Sequence, residues 1–257
     1  MRQEIRAALE GIETRHGVRI LLAVESGSRA WGFASADSDF DVRFIYCHRL
    51  EWYLRVSEPR DVIEETGPNL LDASGWELRK ALKLFAKCNL ALYEWINSPI
   101  VYQEVAGFRD ALQQQIPSFF NPIAAVHHYL SMSRAAYDTC DSDGGITLKK
   151  LFYALRALFA CRWIDRNTSQ PPTEFALLMD NVASEAEKSW IAALLPRKLA
   201  GQEGDKLTLT ATQRETIIGE LAHYSEYAWR APQPKKGPDR LLDDILRNEV
   251  LASTDRA

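Results

Sequence analysis

The chain has 257 residues, of which 46% are hydrophobic and 26% are charged, and its formal net charge at pH 7 is −4. These proportions are ordinary for a globular protein, and the mild acidity excludes a general nucleic-acid coat, so any contact with nucleic acid must come from a local basic patch. No apolar run approaches the roughly 18 residues that a membrane span needs, and the sequence therefore predicts no membrane partner.

The cysteines indicate a reducing compartment. Four are present, far apart and without a CxxC pair: Cys47, Cys88, Cys140 and Cys161. This spacing excludes a thiolate zinc site of the usual kind and argues against a disulfide framework. The first residues carry Glu4, Glu10 and Glu13 and lack the apolar segment of a signal peptide. We therefore expect a cytoplasmic protein with reduced thiols.

The first 90 residues mix helical and strand patterns. Residues 3–16 place apolar side chains at helical spacing, and Gly17 ends that helix. Predicted strands cover residues 18–24, 39–46, 60–65 and 69–73. Gly75 then opens a predicted helix that Asn89 ends.

Helix follows helix after residue 90. Predicted helices cover residues 90–97, 105–115, 122–139, 146–165, 173–180, 183–194, 211–229 and 238–250. Pro117 and Pro196 are among the predicted breaks. The pattern predicts an α+β fold, with a small mixed-sheet domain over residues 1–90 followed by a helical domain over residues 91–257.

The chemistry-bearing pattern lies in residues 24–46, VESGSRAWGFASADSDFDVRFIY. A buried strand runs into a predicted tight turn at Gly27 and Ser28, and a short turn of helix begins near Arg29. Glycine lets the backbone approach a ligand closely, and the free amide groups at a helix start favour an anion such as a phosphate.

Two aspartates follow about a dozen residues later. Asp39 and Asp41 are two apart on a predicted strand, which places both carboxylates on one face together with Arg43. Adjacent anions repel each other, and divalent cations would hold them together. Mg²⁺ prefers a few carboxylates combined with water and phosphate oxygens. A solvated strand face is the alternative interpretation of the two aspartates, and the Gly-Ser turn at this spacing disfavours it.

The combination of Gly-Ser, a spacer and Asp-x-Asp on a strand resembles the DNA polymerase β-like nucleotidyltransferase superfamily. The fuller pattern GSRAWGFASADSDFDVRFIY, with GWELRK, NLALYEWINSPIVY and LKKLFYALRALFACRWI, is similar to predicted nucleotidyltransferases associated with RNA repair operons. The resemblance covers residues 20–175. It implies a polymerase β-like catalytic domain that transfers a nucleoside monophosphate from an NTP, ATP among the candidates, to an acceptor hydroxyl with Mg²⁺ or Mn²⁺.

The resemblance also implies roles for individual residues. Gly27 and Ser28 would hold the triphosphate, while Asp39 and Asp41 would ligate the metal ions. The superfamily adds a third carboxylate from a neighbouring strand, and Asp72 is our choice because it lies in a short apolar stretch before a helix. Glu64 and Glu77 stay open as rivals for that role, and a turn or helix-start aspartate is the alternative for Asp72.

Further candidates for nucleotide binding flank this core. Arg29 and Ser38 border the loop and either contact phosphate or brace the turn. In the helical part, Lys149, Tyr153 and Arg156 form one stripe of a helix, whose cations would neutralise phosphates. The charged outer face of an amphipathic helix is the alternative for this stripe. Lys80 is a weaker candidate.

The sequence therefore predicts a two-metal nucleotidyltransferase that releases pyrophosphate. An RNA end is one candidate acceptor, and small molecules and protein hydroxyls are the others. A nucleotide-binding regulatory module without turnover and a toxin–antitoxin-type enzyme that modifies a partner protein remain as alternative functions.

Overall fold

The computed structural model describes residues 1–36, 38–57, 59–67, 71–141, 143–201, 204–227, 231 and 237–254. The chain forms two compact units. The first, here the sheet unit, contains residues 1–30, 39–119 and 236–257, and the second, here the helical unit, contains residues 31–38 and 120–235. The predicted domain boundary at residue 90 therefore does not coincide with the division between these units.

The sheet unit is built on a five-stranded mixed sheet. Its strands are β1 Arg19–Glu25, β2 Phe40–Cys47, β3 Val62–Gly67, β4 Leu71–Glu77 and β5 Val101–Glu104. Their order across the sheet is β3-β4-β2-β1-β5. β2 and β4 run parallel, and the other neighbouring pairs are antiparallel. The predicted combination of a small mixed sheet with helices is confirmed, while residues 69 and 70 of the predicted fourth strand lie outside the described residues.

Alternation along β2 decides which side chains enter the core. Val42, Phe44 and Tyr46 point into an apolar cluster that also contains Ile5 and Leu9 of the first helix. Of the residues of opposite parity, Asp41 and Arg43 keep partial exposure, whereas Ile45 and Cys47 are buried. Because side chains alternate between the faces of a strand, burial of the apolar set fixes the position of the polar set.

Seven helices belong to or adjoin the sheet unit in the described chain. They are α1 Arg2–His16, α2 Gly27–Trp31, α3 Leu50–Tyr53, α4 Leu78–Ala86, α5 Leu90–Ile96, α6 Phe108–Phe119 and α12 Arg240–Thr254. Gly17 ends α1 with φ 61°, as the sequence predicts. The prediction of a helix that opens at Gly75 is wrong, because residues 75–77 continue β4 and the Glu77 side chain caps α4.

The helical unit contains five further helices among its described residues. They are α7 Pro122–Tyr137, α8 Leu148–Asn167, α9 Phe175–Val182, α10 Glu185–Leu199 and α11 Ala211–Ser225. A two-stranded antiparallel ribbon joins β6 Gly145–Thr147 to β7 Lys206–Thr208. Residues 228–229 of the predicted helix over 211–229 lie outside the described part of the chain.

Two prolines do not end helices where the sequence predicts a break. Pro117 lies inside α6, and Pro196 lies inside α10. Both are close to the C-terminal ends of their helices, and each helix continues for two or three residues beyond its proline.

Neither unit supplies a candidate membrane span: no described helix is both long and apolar enough to cross a bilayer. Cys47, Cys88 and Cys161 are buried free thiols, and Cys140 is a partly exposed one. The expectation that most of the cysteines are buried is confirmed.

Candidate active site

The turn between β1 and α2 places backbone against a carboxylate. Gly27 has φ +61°, and a Cβ atom built on it would lie 2.3 Å from Oδ2 of Asp41. The Ser26 N–H donates to the Asp41 carbonyl at 2.8 Å. Glycine is therefore required here twice, for the left-handed backbone and for the close approach of the Asp41 side chain.

Two of the predicted carboxylates face each other across parallel strands. Asp41 of β2 pairs in register with Asp72 of β4, and their side chains are 33% and 48% exposed. Directly opposed side chains on neighbouring strands lie within about 5.5 Å at Cβ. Asp39 immediately precedes β2 and is exposed. The fold thus brings together residues that are 31 positions apart in the sequence, Asp41 and Asp72.

Arg43 bridges the two opposed carboxylates. Its Nη2 donates to Asp41 Oδ1 at 3.1 Å and to Asp72 Oδ2 at 2.7 Å. Its Nη1 donates to the backbone carbonyls of Val42 at 3.1 Å and Asp72 at 3.0 Å. The sequence places Arg43 on the same strand face as the aspartates but gives no sign of this bridge, because its second partner comes from another strand.

A buried carboxylate, that of Glu25, accepts a hydrogen bond from the backbone of Asp41. Glu25 is fully buried at the end of β1, accepts the Asp41 N–H at 2.8 Å, and accepts a hydrogen bond from the Tyr102 hydroxyl. Burial raises the pKa of Glu25. The buried Ser98 hydroxyl donates to the Glu25 carbonyl at 2.6 Å. Sequence reasoning missed this set, because Ser98 and Tyr102 lie more than 70 residues from Glu25.

Arg29 fastens the start of β2. Its Nε donates to the Asp39 carbonyl at 3.0 Å, and its guanidinium lies 3.8 Å from the centre of the Phe40 ring. A cation over an aromatic face adds to the hydrogen bond. The structure therefore gives Arg29 a bracing contact with the segment that carries Asp39.

Ser38 takes part in a local turn of the helical unit. Its hydroxyl accepts the Ser35 N–H at 3.0 Å and lies 2.8 Å from the Ser35 hydroxyl. This hydrogen-bonded pair fixes the turn just before Asp39.

The predicted stripe on α8 divides into different environments. Lys149 is exposed, whereas Arg156 is 1% exposed and donates to the Thr173 carbonyl at 3.0 Å. The Arg156 guanidinium lies 4.2 Å from the centre of the Trp31 ring, and the Tyr153 ring meets the same indole edge-on at 4.9 Å. Arg156 therefore does not lie on a solvated outer face. It packs against Trp31, the last residue of α2.

The rivals for the third carboxylate lie in other surroundings. Glu64 is exposed on β3 and pairs with Arg60 at 2.8 Å. Glu77 lies at the far end of β4 from Asp72, where its buried carboxylate accepts from Tyr53 at 2.5 Å. Lys80 forms an ion pair with Asp61 at 2.9 Å.

The acidic side chains are the candidate ligands for a divalent cation. Within the described ranges, no three His, Cys, Asp or Glu side chains are already arranged to hold a metal ion. The donor set of Asp39, Asp41 and Asp72 nevertheless suits Mg²⁺ or Mn²⁺, because these ions prefer carboxylate oxygen. Asp41 and Asp72 lie opposite each other, so that one ion could contact both carboxylates. Arg43 donates to one oxygen of each carboxylate.

The chain matches known proteins in three comparisons. The profile of RlaP, described as the RNA repair pathway DNA polymerase beta family, matches residues 1–248. The uncharacterized protein YcgL of Bacillus subtilis (strain 168) is 42% identical over 251 residues, which are 97% of this chain and 96% of YcgL. A nucleotidyltransferase-like protein from Exiguobacterium sibiricum 255-15, known from a crystal structure, aligns with 98% of this chain and 77% of its own, at 13% identity and a TM-score of 0.32.

Proposed function

Because the chain belongs to the RNA repair pathway DNA polymerase beta family, we propose that it transfers a nucleoside monophosphate from an NTP to an acceptor hydroxyl. The family description supports a polymerase β-like nucleotidyltransferase in general. The reaction, the Mg²⁺ or Mn²⁺ requirement and the acceptor are parts of the proposal. The name of the family favours an RNA end as the acceptor.

The strongest support for the proposal is the position of the Gly27 turn next to two opposed carboxylates. Asp41 and Asp72 lie in register on parallel strands, and the Gly27 turn approaches Asp41 so closely that a Cβ on residue 27 would displace the Asp41 carboxylate. A turn that allows close backbone approach next to opposed carboxylates suits a triphosphate with its divalent cations. An ordinary solvated strand face would not require glycine at this distance.

The proposed reaction is an in-line displacement. The acceptor hydroxyl oxygen forms a bond to the α-phosphorus, the bond from that phosphorus to the bridging α–β oxygen breaks, and pyrophosphate leaves with the bond electrons. Asp72 would accept the hydroxyl proton, and its partial exposure leaves it open to an acceptor. Bound divalent cations would supply charge stabilisation for the attacking and leaving oxygens.

The remaining residues would position the substrate. Gly27 and Ser28 would contact the triphosphate through backbone and hydroxyl groups, while Asp39 and Asp41 would complete the cation ligands. Arg29 would keep Asp39 in place through the Asp39 carbonyl. Phosphate contacts by Ser38, Lys149, Tyr153 and Arg156 stay predictions, and the packing of Arg156 around Trp31 favours a bracing role for that residue.

Label transfer tests the proposal. The wild-type protein is incubated with each α-labelled NTP, with Mg²⁺ or Mn²⁺, and with total RNA or lysate protein as the acceptor. Metal-dependent labelling that is lost in the Asp39→Ala/Asp41→Ala double variant supports the proposal, and the labelled species identifies the acceptor class.

The control for that experiment is Arg60→Gln, which removes an exposed charge on the loop before β3 and should leave labelling unchanged. Labelling that survives in the double variant contradicts the site. Metal-dependent NTP binding without any labelling favours the regulatory module instead.

A further inference from the structure

Arg43 competes in charge and in position with the cation that the proposed function requires. Asp41 and Asp72 are held by the same nitrogen, Nη2, at 3.1 and 2.7 Å. Two like charges directly opposed on neighbouring strands are destabilising. The guanidinium relieves this repulsion within the protein itself, before any ligand binds.

The Arg43 side chain is held in one position by its surroundings. The side chain is only 19% exposed, and its second nitrogen is anchored on two backbone carbonyls, those of Val42 and Asp72. Charge-assisted hydrogen bonds are stronger than neutral ones, and the planar guanidinium fixes their directions. The two carboxylates are therefore held in one arrangement by an internal cation.

A divalent cation would need the same carboxylate oxygens. Mg²⁺ and Mn²⁺ bind carboxylate oxygen directly, and Arg43 already occupies one oxygen of each aspartate. A guanidinium a few ångströms away also repels an incoming cation, and this repulsion is strengthened when the site is partly shielded from water. A cation that binds here must therefore either break a hydrogen bond from Arg43 to Asp41 or Asp72, or bind next to the positive charge of Arg43.

From these contacts we infer that Arg43 is a positioning residue that keeps divalent cation affinity low until a nucleotide arrives. This inference rests on the proposed function. In the nucleotide-free protein Arg43 offsets part of the negative charge of Asp41 and Asp72, and cation binding is weak. The triphosphate brings its own oxygen ligands and negative charge, which compensate for the contacts that Arg43 gives up. Cation and nucleotide therefore bind cooperatively, and the cooperativity depends on Arg43.

Mn²⁺ titration of the full chain without nucleotide, followed by the loss of the free-ion electron paramagnetic resonance signal, tests this inference. Arg43→Gln removes the charge, and the variant is expected to bind Mn²⁺ roughly tenfold more tightly than the wild type. The gain should shrink when a non-hydrolysable NTP analogue is present. Arg60→Gln is the matched control, since its guanidinium pairs with Glu64 on β3, and its Mn²⁺ affinity should equal that of the wild type.

Removal of Arg43 leaves Asp41 and Asp72 opposed, so folding is checked separately by thermal denaturation with and without Mn²⁺. A lower Tm without Mn²⁺ and a larger rise on its addition than in the wild type support the inference. If Arg43→Gln does not fold, Arg43→Met replaces it. Methionine also removes the charge and the hydrogen bonds, so an affinity above that of the wild type is expected, and an affinity at or below it overturns the inference.

The outcomes separate this inference from the proposed function. Equal or weaker Mn²⁺ binding by Arg43→Gln, together with a loss of binding in Asp41→Asn, overturns the role of Arg43 and leaves the proposed function standing. Absence of Mn²⁺ binding in wild type and variant alike, with and without the NTP analogue, overturns both.

Discussion

Gly27 lies where the backbone turns from β1 into α2, and two separate constraints act on it. One is the left-handed backbone with φ +61°, and the other is the Asp41 carboxylate, 2.3 Å from where a Cβ would be. Gly27→Ala is therefore expected to lower the free energy of unfolding by about 1–2 kcal/mol for the backbone alone. It should also displace Asp41 and abolish most nucleotide transfer. Urea denaturation and the labelling assay measure the two effects.

Gly17 offers a matched control for that substitution. It has the same φ of +61°, but a Cβ there meets no atom within 4 Å. Gly17→Ala should thus lose comparable stability from the backbone and keep its activity. Equal activity in the two variants would contradict the role given to the Gly27 turn.

At the scale of single elements, β4 shows how a local signal misleads. Gly75 resembles the start of a helix in the sequence, but in the structure it pairs with Phe44 in the middle of the sheet. A Cβ at Gly75 would lie 2.1 Å from the Phe44 ring, so the missing side chain makes room for that ring. The glycine is explained by a neighbour 31 residues away, which a local pattern cannot reveal. The sequence predicts no strand at β5, β6 or β7, because a strand of three or four residues shows little periodicity.

The end of β4 supplies a pH-dependent contribution to stability. Glu77 is 1% exposed, and burial raises the pKa of its carboxyl above the ordinary value of 4.5. The folded protein then keeps the proton to a higher pH than the unfolded chain. The contribution of Glu77 to stability is accordingly full below pH 4.5 and falls as the pH rises through the folded-state pKa.

Glu77→Gln has no proton to lose at this position. Its free energy of unfolding, relative to the wild type, should therefore increase between pH 4.5 and pH 8. Urea denaturation of both proteins at several pH values across that range measures the difference. A difference that is independent of pH would contradict the assignment of a raised pKa.

Three elements of the helical unit are joined by one partly buried cation. Arg162 of α8 donates to Glu187 of α10 at 2.5 and 2.8 Å and to Glu220 of α11 at 2.8 Å. Arg162→Met would leave two shielded carboxylates without their cation, which typically costs about 3–5 kcal/mol. Arg166→Met on the same helix is the control, since Arg166 is exposed and donates only to a carbonyl among the described residues. Similar Tm values for the two variants would contradict this account.

At the scale of the whole molecule, the predictable part of the site is the part that is continuous in the sequence. Gly27, Ser28, Asp39 and Asp41 lie within 15 positions, and their spacing alone indicates a turn next to a strand. Asp72 depends on the pairing of β2 with β4, which the sequence suggests only through the resemblance to a family. The support from Glu25, Ser98 and Tyr102 depends on β5 and its neighbours and has no local signal.

The same long-range packing governs which fragments can fold. A fragment of residues 1–90 lacks β5, which pairs with β1, and α12, whose Ser253 hydroxyl lies 2.8 Å from the Cys47 thiol. It also lacks Glu249, which pairs with Arg19 at 3.3 Å. We expect the fragment to be unfolded or aggregated and the full chain to be folded, as measured by circular dichroism. A cooperative thermal transition of the fragment would contradict the composition of the sheet unit.

The most direct test of the proposed chemistry follows both ends of the triphosphate in one reaction. An NTP labelled at the α-phosphate and another labelled at the γ-phosphate are offered to the wild type and to Asp41→Asn, with Mn²⁺ and total RNA. We predict that the α-label enters the acceptor, that the γ-label appears in pyrophosphate, and that both products disappear with Asp41→Asn. Appearance of the γ-label in the acceptor, or transfer that survives in Asp41→Asn, would contradict nucleotidyl transfer at this site.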